Sequence, residues 1–129
     1  MATWNDLERY ITSTFEVNKD APAGMVGILF PMGNRSQLVF IHRTGSDQLG
    51  EWATIISPIG EVSAAKLKEV AREASRLVVG GVVMISDRVY LSHSVPLLNL
   101  DMNEFTVPLI AITASADVLE QKFTGRDDF

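Results

Sequence analysis

Apolar residues recur along the chain at two different spacings, and the changes of spacing outline a mixed architecture of helices and strands. A helical stripe near the N-terminus predicts an amphipathic helix over about residues 4–16, capped by Thr3 and Asp6. Its apolar members are Trp4, Leu7, Ile11 and Phe15. Segments rich in strand-forming residues follow at 25–30, 36–43 and 51–57. Because short loops join these segments, they predict an antiparallel meander.

The second half of the chain predicts a helix, a hairpin and a longer closing helix. Ser63 is a good N-cap for a helix that ends before Gly80-Gly81. Segments 82–86 and 89–93 flank Asp87-Arg88 and predict a hairpin. The closing helix ends before Gly125, and its apolar stripe consists of Phe105, Leu109, Ile112, Ala116, Leu119 and Phe123.

A proline affects where the closing helix begins. Pro108 is tolerated in the first turn of a helix but disrupts a helix interior. We therefore predict that the main helix starts near Thr106, after a separate turn capped by Asp101.

The order of elements is α-β-β-β-α-β-β-α. It predicts a single α+β domain over residues 1–129, with an ordered core of about 3–125 and three helices on a five-stranded antiparallel sheet. Segments 25–30 and 36–43 are apolar on both sides. An antiparallel sheet with one wet side alternates apolar and polar residues, so we expect cover on both faces. The first and third helices would then cover one face and the second helix the other.

A single helix covers only part of a five-stranded face, and a homodimer would bury the remainder. The pairing of second helices or fourth strands across a two-fold axis fits this need. The predicted interface consists of Leu67, Val70, Ala71, Ala74, Leu77, Val82 and Met84. The alternative is a compact monomer whose connector fills the gap.

That connector reads HSVPLLNLDMNEF at 93–105, and its apolar residues follow neither period. Because Pro96 has no N–H to donate, strand pairing should end near His93. The simplest interpretation is that the connector plugs the end of the core. The functional alternative is a groove for an extended peptide, formed by Val95, Leu97 and Leu98.

Composition narrows the range of functions. The chain has 129 residues, no cysteine and a formal net charge of −5, and its basic residues are scattered. An acidic chain without a basic stripe is a poor candidate for binding nucleic acid or anionic membranes. The longest apolar run, 77–85, is too short to span a bilayer, and the N-terminus has no signal-peptide pattern. We expect a cytoplasmic protein.

The candidate chemistry is sparse. Strand pairing would bring His42 and Arg43 near Glu51, which suits a general acid–base pair, but a histidine at a strand end is the simpler interpretation. His42 and His93 do not have the close sequence spacing typical of a pair of metal ligands. The glycines do not match the motif of a phosphate-binding loop. The sequence therefore predicts no catalytic, cofactor-binding or metal-binding residues.

Three stretches carry a resemblance to a known family. They are GEWATIISPIGE at 50–61, LVVGGVVMISDRVYLSHSVPL at 77–97 and ADVLEQKFTG at 116–125. Together with the order of elements, they resemble the type III secretion chaperone fold, and within it the YbjN-type proteins, described as bacterial sensory transduction regulators. The resemblance runs from Thr3 to Gly125 and implies a dimer that contacts its twin through the second helix. Pro108 departs from the smooth closing helix of that fold.

We therefore expect a non-enzymatic protein-binding module: a dimeric, chaperone-like or regulatory adaptor of unknown partner. The competing interpretation is a small-ligand sensor or enzyme with a pocket between sheet and helices, lined by His42, Arg43 and Glu51. A structural module within a larger assembly is a third possibility.

Overall fold

The computed structural model describes residues 3–18 and 21–127 as three helices and one sheet. The helices are α1 (Trp4–Thr14), α2 (Ala64–Ala74) and α3 (Met102–Thr124). The strands are β1 (Val17–Asn18), β2 (Met25–Met32), β3 (Arg35–Ser46), β4 (Gly50–Glu61), β5 (Gly81–Ile85) and β6 (Arg88–Pro96). The strands lie in the order β1-β2-β3-β4-β6-β5, with antiparallel neighbours throughout.

The predicted α+β class and antiparallel sheet are confirmed, but the sheet has six strands and not five. The additional strand is β1, in which Val17 pairs with Ile28 and Asn18 with Gly27. Two residues are too few to show a period-two pattern, so nothing in the local sequence distinguishes β1 from a loop.

The core lies between one face of the sheet and the three helices. α3 packs along β3, β4 and β6, and its whole predicted apolar stripe is buried. α1 adds Trp4, Leu7 and Ile11 to the core, and α2 adds Val70 and Ala74. The sheet contributes alternate residues, among them Val39, Ile41, Ala53, Ile55, Val89 and Leu91. All these side chains form one continuous cluster.

The expectation that helices cover both faces is wrong for the described residues. α2 lies beside α3: Lys66 Nζ donates to the Phe123 carbonyl over 3.1 Å, and Lys122 pairs with Glu73. The buried side chains of α2 belong to the same core as those of α3. The second helix therefore shares a face with α3, and no described helix covers the opposite face of the sheet.

The prolines end fewer elements than predicted. β2 continues through Pro31, which pairs with Ser36 of β3. On its other edge β2 pairs with β1 only at Gly27 and Ile28, so the N–H that proline lacks is not needed for pairing there. β4 continues through Pro58, where its pairing with β6 shifts register at a bulge between Pro58 and Gly60. β6 pairs as far as Pro96, which lies opposite Trp52, so pairing does not stop near His93.

The hairpin turn lies one residue earlier than predicted. Ile85 pairs with Arg88, which leaves Ser86 and Asp87 as the turn. Ser86 adopts a φ of 54°. A small side chain therefore takes the left-handed conformation, and Arg88 stays in the strand.

α3 is one continuous helix and does not begin near Thr106. Its N-cap is Asp101, whose carboxylate accepts from the Asn103 N–H over 2.9 Å. Pro108 lies inside the helix and is buried. A proline costs a helix interior about 3 kcal/mol, whereas burial of a large apolar side chain contributes about 1.5–3 kcal/mol. Because Phe105 and Leu109 flank the proline and are fully buried against the sheet, packing offsets the loss.

Two adjacent glycines at the start of β5 provide a stability test. Gly80 has a φ of 93°, and a Cβ there would run into Cδ1 of Ile112 on α3. We expect Gly80→Ala to lower the free energy of unfolding by about 1–3 kcal/mol in chemical denaturation. Gly81→Ala is the matched control, because its Cβ would meet nothing within 4 Å and should change stability by less than about 0.5 kcal/mol. Equal stabilities of the two variants would contradict this packing.

Candidate functional site

The sheet face without helices, which we call the open face, is the largest feature that the fold leaves uncovered. It contains the side chains that alternate with those of the core, and strand register aligns them across the sheet: Phe40 lies opposite Ile56, and Ile56 opposite Ser92. The open face includes Met25, Gly27, Leu29, Leu38, Phe40, His42, Thr44, Trp52, Thr54, Ile56, Tyr90, Ser92, Ser94, Val83 and Ile85, with the opposed pair Arg88 and Glu61 at the end beside Ile85. None of these residues belongs to the core cluster of the described chain.

The open face is apolar at its centre and at its two sides. Phe40 and Ile56 occupy the centre, where the Phe40 ring lies so close to Gly27 that a Cβ on that glycine would be 3.2 Å from the ring. At the sides, Leu29 is 55% exposed and Ile85 is 53% exposed. A protein that keeps such side chains in water on a broad surface commonly uses that surface for binding.

The polar groups at the centre of the open face carry no charge at neutral pH. The Thr44 and Thr54 hydroxyls lie 2.9 Å apart, and the Thr54 and Ser94 hydroxyls 2.8 Å apart, so a ladder of hydroxyls crosses three strands. The charged pair Arg88 and Glu61 lies at the end of the open face beside Ile85, and the centre around Phe40 and Ile56 has no Lys, Arg, Asp or Glu. In a chain of net charge −5, an uncharged centre of this kind is favourable for contact with another apolar surface.

The sheet separates the histidine of the predicted acid–base pair from its carboxylate. His42 lies opposite Thr54 on the open face, whereas Glu51 lies opposite Gly45 and points to the helical side. The Glu51 carboxylate accepts from Arg43 and from the Trp4 N–H, each over 3.1 Å. Partial burial lowers the pKa of His42 and so favours its neutral form.

Most residues of the predicted dimer interface contribute to the core of their own chain. Val70 and Ala74 are buried there, and Leu67, Leu77 and Val82 are half-buried against it. The two others, Ala71 and Met84, are exposed.

Two of the three predicted groove residues in the connector pack into the end of the core instead. Val95 and Leu97 are buried in the core, and the Leu97 N–H donates to the Glu51 carbonyl over 3.0 Å. Leu98 is the one predicted groove residue that points into solvent. The described connector therefore has no continuous apolar lip formed by all three residues.

A buried polar network escaped the sequence analysis. Nε of Arg35 donates to Asp117 over 3.0 Å, and its Nη2 lies 3.4 Å from Glu120 and 2.7 Å from the Arg126 carbonyl. These contacts fasten the C-terminal half of α3 to the start of β3. The sequence of α3 does contain an indication of this network, because four polar residues at helical spacing lie beside the apolar stripe. They are Thr113, Asp117, Glu120 and Thr124.

A second polar group lies close to this network in the fold. Gln37 donates from Nε2 to the Ser57 hydroxyl over 2.9 Å and to the Pro58 carbonyl over 2.8 Å. Its Oε1 has no hydrogen-bond partner among the described residues, although the side chain is fully buried. Because a carbonyl accepts but cannot donate, the bond to Pro58 fixes this orientation of the amide.

The three carboxylates at the end of α3 are close enough to share a cation. Oxygen atoms of Asp117, Glu120 and Asp127 lie within 4.8 Å of one another. The guanidinium of Arg35 already lies against two of them, and Asp127 accepts from the Ser36 N–H over 3.2 Å. The arginine supplies positive charge at the two buried carboxylates, so we interpret this cluster as an anchor for α3 and not as a binding site.

Neither a family model nor a curated protein matches the chain. Among the described residues, no helix combines the length and apolar character needed to cross a bilayer.

The anchor of α3 is testable with two arginines of β3. Arg35→Ala leaves Glu120 fully buried without its guanidinium partner, so we expect a loss of about 3 kcal/mol in the free energy of unfolding. Arg43→Ala is the control: its pair with Glu51 is exposed to solvent and should contribute less than about 1 kcal/mol. Urea denaturation of both variants measures the difference, and similar losses would show that the buried pairs do not anchor the helix.

The open-face histidine gives a pH test. Because burial lowers the pKa of His42 below its ordinary value of 6.5, the folded chain binds fewer protons there than the unfolded chain. The free energy of unfolding should therefore fall as the pH drops from about 6.5 through the folded-state pKa. His42→Asn should remove part of this fall in denaturation experiments between about pH 7.5 and 5. Parallel profiles of the variant and the natural chain would contradict the desolvation of His42.

Proposed function

We propose that the protein is a non-enzymatic protein-binding module, a chaperone-like or regulatory adaptor that docks a partner protein on the open face. The observation that carries this proposal is the breadth of sheet surface, apolar and uncharged at its centre, on which no described helix lies. Leu29 and Ile85 remain mostly in water on opposite sides of that surface, and the aromatic rings of Phe40, Trp52 and Tyr90 lie between them. Aromatic residues are enriched at the centres of protein interfaces.

The dimensions of the open face suit a stable complex. Six strands at about 4.8 Å spacing span about 25 Å, and a twelve-residue strand is about 40 Å long. The product is on the order of 900 Å², after allowance for shorter outer strands. A standard interface buries about 800 Å² per partner, so the open face is large enough to bind one.

The order of elements gives a second line of support. Apart from the short β1, the chain runs α-β-β-β-α-β-β-α, which is the order implied by the resemblance to YbjN-type proteins of the type III secretion chaperone fold. We infer membership of that fold group from this order together with segments 50–61, 77–97 and 116–125. Proteins of one fold carry unrelated functions, so the binding role depends on the open face and not on the fold.

The competing function, a small-ligand sensor, has one observation in its favour. A recess of about 400 Å³ lies where the end of α3 meets the sheet and the start of α2. Its lining includes Lys66, Arg88 and Arg126, so an anionic molecule would be the ligand that this recess favours. Lys66 already donates to the Phe123 carbonyl, and Glu61 adds a negative charge to the lining. These contacts make the recess the weaker candidate.

The docking proposal predicts where contact with a partner occurs. A photoreactive amino acid in place of Leu29 or Ile85 should form a covalent adduct with the same protein in the native cell, because the two positions flank one surface. The same amino acid at Leu98 tests the connector groove, and at Val78 it serves as an exposed control. Mass spectrometry identifies the adducts. Adducts that form at Leu98 or Val78 but at neither open-face position would contradict the proposal.

A charge on the open face should then weaken the complex. Leu29→Glu places a carboxylate in the contact opposite the apolar Leu38, so we expect at least about tenfold weaker binding of the captured protein, measured by calorimetry. Val78→Glu adds the same charge outside the face and should leave the affinity unchanged. An equal effect of both variants would indicate long-range repulsion and not direct contact.

A further inference from the structure

The outward side of α3 is apolar as well. Directly opposite its buried stripe lie six positions that point away from the sheet, which we call the outer stripe: Asn103, Val107, Ile110, Ala114, Val118 and Gln121. Three of its side chains remain largely in water, since Val107 is 63% exposed, Ile110 54% and Val118 61%. A helix on a protein surface normally presents polar residues outward, and one that is apolar all round is normally covered.

Charge is absent from most of this helix. Between Glu104 and Asp117 the chain has no Lys, Arg, Asp or Glu, and no member of the outer stripe carries a charge. α1 and α2 lie beside α3 but leave its outward side free: Tyr10 reaches Thr106 on one flank, and Glu73 reaches Lys122 on the other. The outer stripe is therefore an uncovered helix face bordered by two further helices.

We propose that the outer stripe binds the outer stripe of a second copy of this chain, with the two α3 helices antiparallel about a two-fold axis at Ala114. This inference goes beyond the proposed function, because the outer stripe and the open face lie on opposite sides of the molecule. It also differs from the dimer predicted through α2 and β5, most of whose residues are used in the core of a single chain.

The spacing of the stripe is self-complementary in this arrangement. A two-fold axis at position 114 places Ile110 against the partner's Val118, and Val107 against the partner's Gln121. The axis itself passes through Ala114, where a small side chain on each helix permits close approach. Ile110 and Val118, the exposed apolar residues nearest the axis, thus meet each other across the two copies, and Val107 packs on the uncharged side chain of Gln121.

The charges at the borders of the stripe favour the same arrangement. Glu104 and Lys122 are separated by eighteen residues, which is five helical turns, so they lie on the same flank of α3. Antiparallel pairing about Ala114 brings Glu104 of each copy to within about 3 Å, along the helix axis, of the partner's Lys122. Lys122 also pairs with Glu73 of its own chain, so each lysine would lie between two carboxylates. Opposite charges at both ends fix the antiparallel direction.

The neighbouring groove enlarges the contact. A recess of about 230 Å³ lies between α2 and α3 and shares Ala114 and Val118 with the outer stripe. Leu77, which follows the end of α2, forms its far wall, and Glu73 of α2 also lines it. Apolar contact therefore continues from the stripe to Leu77, and a second copy would cover more than a single helix ridge.

Cysteine cross-linking tests the register directly, because the chain has no cysteine of its own. Ala114→Cys should yield a covalent dimer on mild oxidation, since the two thiols meet at the axis and a disulfide needs Cα atoms about 4.4–6.8 Å apart. Val107→Cys is the matched control: its two copies would lie about 21 Å apart along the axis and should not cross-link. A mixture of the Val107→Cys and Gln121→Cys proteins should cross-link between unlike chains only.

Light scattering of the unmodified chain should give twice the mass of one chain, and Ile110→Glu should weaken this dimer at least a hundredfold. Val107, Ile110 and Gln121 are exposed and Ala114 is half-buried, and circular dichroism checks that each variant folds. A monomer at about 100 μM would overturn the proposal, since functional dimers are far tighter. Efficient cross-linking of Val107→Cys alone, or of Phe40→Cys but not Ala114→Cys, would also overturn it. Failure here leaves the open-face adducts at Leu29 and Ile85 unaffected, so the two proposals are separable.

Discussion

The packing of α3 along the sheet is the interaction on which the rest of the molecule depends. Its buried side chains, from Phe105 to Phe123, run the length of the core, and the helix contacts β2, β3, β4 and β6. α1 and α2 are too short to cover the sheet by themselves, and each joins the same core at a flank of α3. With three helices committed to one face, the chain has no described helix left for the other. The open face is thus a consequence of where α3 lies.

The C-terminal half of α3 has a second attachment that is electrostatic. Arg35 reaches two carboxylates of the helix and the carbonyl of Arg126, so the start of β3 is held beside the end of the chain's longest helix. Buried ion pairs add little net stability, because desolvation opposes their attraction, but they disfavour alternative registers in which a charge is left unpaired. Apolar packing supplies the stability of α3, and the Arg35 network contributes to its position along the sheet.

The sequence predicts the long elements well because their periods repeat over several turns or pairs. The helix expected at 4–16 is α1, and the three strands of the meander have the expected order. Prediction fails where a long-range contact overrides a local rule, as when packing keeps Pro108 inside a helix and a bulge keeps Pro58 inside a strand. It also fails for Arg35 and Glu120, which are 85 residues apart in sequence.

The candidate surfaces show the same limit of sequence reasoning. Apolar residues on both sides of a strand indicate that both faces need cover, but they do not say whether the cover comes from the same chain. Here the helices take one face, and two surfaces with apolar, uncharged centres remain among the described residues, pointing in opposite directions. A dimer through the outer stripe would leave both open faces outward, so each dimer would present two equivalent docking surfaces. A partner with two linked docking segments would then bind by avidity, because attachment of the first segment raises the effective concentration of the second to about millimolar for a short linker.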